Sequence, residues 1–125
     1  VKALHHSGMG IGGHTVNHPI LSQLDAGQAR TELETGKLTL EQLTGETVSL
    51  FAYPNGKPGL DFQQGHVDMV KAAGFTAAVS KAWGVATRSS DLYQLPRFTP
   101  WDHSIVKYLA RLGKIRYENS ELRLR

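Results

Sequence analysis

The chain of 125 residues contains no cysteine. Disulfide bonds, metal sites built from thiolates and a cysteine nucleophile are therefore excluded. No apolar run is long enough to cross a bilayer. The first residues also lack a basic segment followed by an apolar core, so the sequence shows no export signal and leaves the compartment open.

The excess of positive charge is small. Lys and Arg number 14 against 11 Asp and Glu, and much of that surplus lies between residues 107 and 125. The chain has no long basic run and no nucleic-acid-binding motif, so we predict no nucleic-acid partner. An apolar fraction of 40% and a charged fraction of 20% are typical of a globular protein. The length fits one compact domain.

Hydrophobic patterning predicts alternating strands and helices. Short apolar runs predict strands in "MGIGGH", "TVSLFAYP" and "FTAAVS". Apolar residues at helical spacing predict helices over residues 22–43 and 61–74. The cap signal Ser7-Gly8 predicts the last turn of a helix over residues 1–6, and a final helix is expected over about residues 103–116. Ser22 and Asp25 resemble a capping box at the start of the long helix, and Gly36 is a weak point inside it. This alternation predicts an α/β fold with a mainly parallel sheet.

Two histidines stand four residues apart in "GGHTVNHPIL", residues 12–21. Residues at that spacing lie on one face of a helical turn, so the side chains of His14 and His18 can converge. Neutral imidazoles are common ligands of Zn²⁺. The glycines before His14 allow a close backbone approach, and Pro19 sets the exit of the segment. From spacing alone, the pair is either a metal site or two ordinary polar residues.

The segment "HTVNHP" resembles the His-Ser/Thr-x-x-His-Pro signature of the polysaccharide deacetylase family, also called the NodB-homology or carbohydrate esterase 4 family. Further stretches that resemble family motifs follow in the same order: "LFAYPNGKPG", "VKAAGFTAAVS" and "YQLPRF". The resemblance covers roughly residues 1–102. It implies a partial, distorted (β/α) barrel and a metal-dependent hydrolase that removes N- or O-acetyl groups from a polysaccharide.

The resemblance also implies roles for individual residues. His14 and His18 would bind the metal, most often Zn²⁺ and in some members Co²⁺, which activates a water molecule for attack. The backbone N–H of Asn55 would stabilise the oxyanion that forms on the acetyl group. Tyr53 and Pro54 would shape one wall of the groove for an acetylated polysaccharide. Thr15, directly after the first ligand, would support the loop.

Other positions depart from the family pattern. Ala52 stands where many members carry an arginine, and Arg97 is the candidate replacement, with a surface contact as its alternative role. Trp83 and Trp101 are candidates for stacking on sugar rings, although a buried aromatic wedge is an equal alternative. His103 is the late candidate for the general acid, with the start of the last helix as its other reading.

The family's first motif, Thr-Phe-Asp-Asp-Gly, has no counterpart in this chain. That motif supplies both the catalytic base and an aspartate ligand of the metal. We therefore expect residues 1–125 to form a single deacetylase domain that is truncated at its N-terminus, lacks its first strand or strands, and is inactive alone. The alternative is a non-catalytic remnant that keeps a groove for glycans or a metal. Family members tend to be periplasmic or extracellular.

A missing first strand would leave a sheet edge uncovered, and uncovered edges pair with other chains. We therefore expect the isolated chain to form a homo-oligomer in solution. Light scattering coupled to gel filtration measures the mass directly, and a monomer mass at all protein concentrations would contradict this expectation.

Overall fold

The structure is a computed structural model that describes residues 1–97 and 103–117, with side chains up to residue 114. The predicted alternation of helices and strands is confirmed. The helices are α1 (Lys2–His6), α2 (Ala26–Thr44), α3 (Gln64–Ala72) and α4 (Ile105–Tyr117), and the strands are β1 (Leu50–Ala52) and β2 (Ala77–Val79). None of the helices in these described ranges is long and apolar enough to cross a membrane.

The sheet is small and parallel. β1 pairs with β2 in a register that places Phe51 opposite Ala78. Gly13 forms a single parallel bridge to Phe51 on one side, and Leu95 forms one to Val79 on the other. The described segments therefore lie side by side in chain order. Because all the pairings are parallel, the carboxyl ends of these segments meet at one edge of the sheet.

The predicted strand "MGIGGH" is reduced to the bridge at Gly13. The Gly13 N–H donates to the Leu50 carbonyl at 2.7 Å, and the Ala52 N–H donates to the Gly13 carbonyl at 2.9 Å. A Cβ at Gly13 would lie 2.9 Å from the ring of Phe75 and 3.3 Å from that of Phe51. Only glycine allows the chain to pass so close to this aromatic pair.

Aromatic rings fill the core beside β1. The Tyr53 ring stacks on that of Phe62 with centroids 3.7 Å apart, and Phe51 lies 5.2 Å from Tyr53 and 5.1 Å from Phe75. All four side chains are buried. Aromatic burial on this scale supplies much of the hydrophobic stabilisation of a small domain. The carboxyl end of β1 is therefore held in place by the packed aromatic rings.

The start of α2 differs from the sequence prediction. Asp25, not Ser22, is the N-cap, and it forms the capping box with Gln28. The Ser22 hydroxyl instead donates to the Leu60 carbonyl at 2.6 Å, within a short 3₁₀ turn at Leu21–Gln23. Ser22 lies inside this turn, and Leu24, which ends the turn, is extended with a φ of −99° and a ψ of 152°. This extended residue interrupts the helical conformation, so α2 begins at residue 26 rather than 22.

The last turns of α2 are tied to the chain that leads into β1. Glu41 accepts hydrogen bonds from Lys37 Nζ at 2.6 Å and from the Val48 N–H at 3.0 Å. Lys37 Nζ also donates to the Val48 carbonyl at 2.7 Å. The hydrogen bond from the Lys37 ammonium, followed by that from the Val48 amide, lowers the pKa of Glu41. The ionised carboxylate is therefore the form that the fold stabilises.

Replacing Glu41 by Gln should lower the free energy of unfolding at neutral pH, with a smaller effect in acid. The folded pKa lies below the ordinary value of 4.5, so the stabilisation is present above that pH and is lost as the pH falls through the folded pKa. Urea unfolding at several pH values measures this difference. The matched control is Glu34→Gln, an exposed site on the same helix. A Glu41→Gln effect that is constant from pH 7 to strong acid would contradict the prediction.

Candidate metal centre

The two histidines lie at the carboxyl edge of the sheet, in a segment that we call the histidine loop, residues 14–18. His14 directly follows the bridge at Gly13. Both histidines are exposed, and their rings meet edge to face with centroids 4.8 Å apart and an interplanar angle of 71°. The structure thus brings together the pair that the sequence singles out.

His14 is oriented by the strand beside it. Its Nδ1 lies 2.7 Å from the Ala52 carbonyl oxygen. A carbonyl oxygen only accepts hydrogen bonds, so Nδ1 carries the proton and donates. In the neutral imidazole, Nε2 then keeps its lone pair. Ligating histidines are commonly held in this way, by a carbonyl on the second ring nitrogen.

The loop between the histidines is not a helical turn. The prediction that the two side chains converge because they share one face of such a turn is therefore wrong, although the rings do meet. Thr15 has a φ of 62° and His18 a φ of 56°, both in the left-handed region. That region is unusual for a β-branched residue and costs roughly 1–3 kcal/mol per residue. The Thr15 hydroxyl donates to the His14 carbonyl and accepts from the His18 N–H at 3.1 Å. Thr15 thus makes the supporting contacts that the resemblance implies.

A carboxylate from α2 holds the middle of the histidine loop. Glu32 accepts hydrogen bonds from the Val16 N–H at 2.8 Å, from the Asn17 N–H at 2.9 Å and from Asn17 Nδ2 at 2.6 Å. Partial burial raises the pKa of Glu32, but these hydrogen bonds outweigh it, so that the net shift is downward. Sequence reasoning missed Glu32, because nothing in its local pattern separates it from Glu34.

Gly36, one turn further along α2, makes room for the loop. It is buried, and a Cβ there would lie 3.1 Å from the carbonyl carbon and oxygen of Thr15. The residue that weakens the helix by intrinsic propensity is thus the one that lets the loop approach. Glu32 and Gly36 share one helix face because they are four residues apart.

The segment after β1 places its predicted site residues at different depths. The Tyr53 side chain is only 1% exposed, and its hydroxyl donates to the Tyr93 carbonyl at 3.0 Å. Tyr53 therefore lies in the hydrophobic core, where its side chain is not accessible to a sugar. The predicted role of Tyr53 in a wall of the groove does not fit this position. Pro54 is buried as well. Asn55 is exposed with a φ of 56°, and its N–H donates to no partner among the described residues.

Trp83 and Arg97 follow the next two parallel segments. Trp83 is half-buried, and the Arg111 guanidinium lies 5.6 Å from the centre of its ring. Arg97 is exposed, and its N–H donates to the Ala82 carbonyl at 3.0 Å. Trp101 lies outside the described residues. His103 is exposed, two residues before α4 begins.

The candidate residues share one edge of the sheet but do not all touch. His14, Asn55, Trp83 and Arg97 each follow the carboxyl end of one parallel segment. In α/β folds, this edge is where ligand-binding and catalytic residues gather. Contacts join His14 to His18 and to Ala52. Within the described ranges, the Arg97 backbone bonds to Ala82 and not to the histidine loop.

The histidine pair fits part of a metal site. Zn–N bonds of about 2.0–2.1 Å allow two imidazoles this close together to bind one ion, and His14 keeps Nε2 for it. A catalytic zinc site normally has three protein ligands. In the portion of the chain that is described, no group of three His, Asp or Glu side chains is placed to hold a metal. The donor set present is therefore two imidazoles.

Replacing Gly36 by Ala should destabilise the protein, because the added Cβ would press on the Thr15 carbonyl at 3.1 Å. The matched control is Gly65→Ala in α3, where a Cβ meets no described atom within 4 Å. An alanine at an open helical position gains up to about 1 kcal/mol, so the control should match or exceed the parent. Urea unfolding measures both, and equal gains for the two variants would contradict the prediction.

Comparisons with known proteins bear on the family and the fold of this chain. The model of the polysaccharide deacetylase family matches residues 1–78. No match is found among curated proteins. Among solved structures, the chain is similar to the deacetylase PplD of Streptococcus pyogenes, solved with acetate, at 26% identity and a TM-score of 0.71. The match covers 78% of this chain and 41% of that one.

Two further structures show the same fold. BC0361, a polysaccharide deacetylase from Bacillus cereus, is 24% identical with a TM-score of 0.72, and the match covers 87% of this chain and 34% of that one. IcaB from Ammonifex degensii is 19% identical with a TM-score of 0.66, and the match covers 90% of this chain and 49% of that one. The chain thus spans less than half the length of these structures. Because the family match extends over more than half of its residues, the chain belongs to the polysaccharide deacetylase family.

Proposed function

We propose that this chain is part of a metal-dependent hydrolase that removes acetyl groups from a polysaccharide, by cleavage of an amide or an ester bond. The observation that carries the proposal is the histidine pair. Two exposed imidazoles meet at the carboxyl edge of a parallel sheet, and the hydrogen bond to the Ala52 carbonyl reserves Nε2 of His14 for a ligand. Membership of a family that acts on acetylated polysaccharides supports the same conclusion.

The proposal includes the architecture of the whole domain. Parallel segments that lie side by side in chain order are the way in which a (β/α) barrel is built. We infer that residues 1–97 form one part of a distorted barrel of the NodB-homology type. The remaining strands, the third metal ligand and the catalytic base would come from residues outside those that the structure describes.

In this proposal, His14 and His18 hold Zn²⁺, or Co²⁺ in its place. When bound, the ion polarises the acetyl carbonyl and lowers the pKa of a water molecule. The N–H of Asn55, which donates to no partner among the described residues, is available to donate to an oxyanion. Arg97 offers a positive charge at the same edge. Trp83, which follows the next parallel segment, is the candidate for stacking on a sugar ring.

A second candidate function is a non-catalytic groove that binds a metal or a glycan. The observation that favours it is the ligand count, because the described residues bring together two imidazoles and no third ligand. The two candidates differ in turnover, not in the histidine pair. They are therefore separated by an activity measurement on a longer protein and not by metal binding.

Replacing His14 or His18 by Ala should abolish zinc binding, because each change removes one of two imidazole donors. Isothermal calorimetry with zinc chloride on the 125-residue chain measures the affinity. The matched control is His6→Ala, an exposed histidine in α1 that should leave the affinity unchanged. Equal zinc affinity in all variants would contradict the proposed site.

Acetate release from N-acetylated and O-acetylated oligosaccharides tests the reaction itself. A protein long enough to carry the absent aspartate motif should release acetate with added zinc, and its His14→Ala variant should not. The ratio between the two substrates tells amide from ester cleavage. Zinc binding without acetate release from either substrate would support the non-catalytic groove instead.

A further inference from the structure

Glu32 contacts the histidine loop at its centre. Its Oε2 accepts the backbone N–H groups of Val16 and Asn17, and its Oε1 accepts the Asn17 side-chain amide. Val16 and Asn17 lie between the two histidines. The carboxylate therefore grips the middle of the loop and leaves both imidazoles uncovered.

The loop needs an outside support because its own backbone is strained. Thr15 and His18, on either side of the gripped residues, both have left-handed backbone angles. Such conformations persist only where surrounding contacts impose them. An ionised acceptor forms stronger hydrogen bonds with N–H donors than a neutral one does, so a carboxylate is well suited to this task.

The helix behind Glu32 is a rigid base. Ala29 and Leu33 of α2 are buried in the hydrophobic core, which fixes the helix against the rest of the protein. Gly36 then receives the Thr15 carbonyl one turn from Glu32. The loop is thus held at two points on one helix face, by hydrogen bonds at Glu32 and by close packing at Gly36.

A direct role for Glu32 as a metal ligand does not fit the contacts. Both of its oxygens are occupied by loop donors. Over the described ranges, no three His, Asp or Glu side chains, Glu32 included, lie close enough together to hold a metal ion. The carboxylate therefore acts on the loop and not on an ion.

We infer that Glu32 is a positioning residue that acts through Val16 and Asn17 to set the separation and orientation of His14 and His18. The inference rests on the proposed function in one respect, namely that the aligned imidazoles serve a metal. The support of the loop by Glu32 does not depend on that function, and it is measurable in the metal-free protein.

The test compares Glu32→Ala and Glu32→Gln with the matched control Glu34→Ala, an exposed glutamate on the same helix. Calorimetry with zinc chloride should show a 10- to 100-fold weaker affinity for Glu32→Ala, roughly the loss seen when the partners of metal ligands are removed. The Gln variant should recover most of the affinity, because its oxygen can accept both backbone N–H groups and the Asn17 amide can turn around. Glu34→Ala should bind zinc as the parent does.

Amide hydrogen exchange without metal is the second measurement. Glu32→Ala should speed exchange at Val16 and Asn17, while exchange in β1 stays as in the parent. If the parent chain binds no zinc, the two imidazoles do not hold the ion by themselves, and exchange at these two amides still decides whether Glu32 holds the loop. Unchanged exchange, or unchanged zinc affinity in Glu32→Ala while His14→Ala has lost it, would overturn the inference.

Discussion

The close approach at Gly13 is the constraint on which the site depends. Without a Cβ, the chain passes over the rings of Phe51 and Phe75 and joins the sheet beside β1. That pairing delivers His14 to the Ala52 carbonyl, which sets the tautomer of the ring. A larger residue would separate the segment from β1 and take His14 with it. The position of the first imidazole is thus decided by a packing contact in the core.

The second imidazole depends on α2. The loop that carries His18 contains left-handed residues, a conformation that the chain does not adopt without support. The support comes from α2, where Glu32 accepts hydrogen bonds from the loop and Gly36 packs against the Thr15 carbonyl. The same helix is tied at its other end to the entry of β1 through Glu41 and Lys37. One helix therefore couples the histidine loop to the strand that orients His14.

The segment after β1 is also positioned by contacts in the core. Tyr53 stacks on Phe62 and bonds to the Tyr93 carbonyl, so it fixes the end of the strand from below. Asn55 emerges above it with an N–H that has no partner in the described part of the chain. The segment of residues 53–55, which resembles a family motif, thus has a buried part at Tyr53 and an exposed part at Asn55.

The sequence by itself determined the α/β alternation and the family, and it singled out the pair of His14 and His18, because each depends on local patterns or short motifs. It did not reveal that Asp25 rather than Ser22 caps α2, that Tyr53 is buried, or that Glu32 and Gly36 shape the loop. Each of these depends on a partner far along the chain: the Leu60 carbonyl for Ser22, the Tyr93 carbonyl for Tyr53, and the loop backbone for α2. Periodicity reports which face of an element is apolar, whereas only the tertiary structure decides what that face meets.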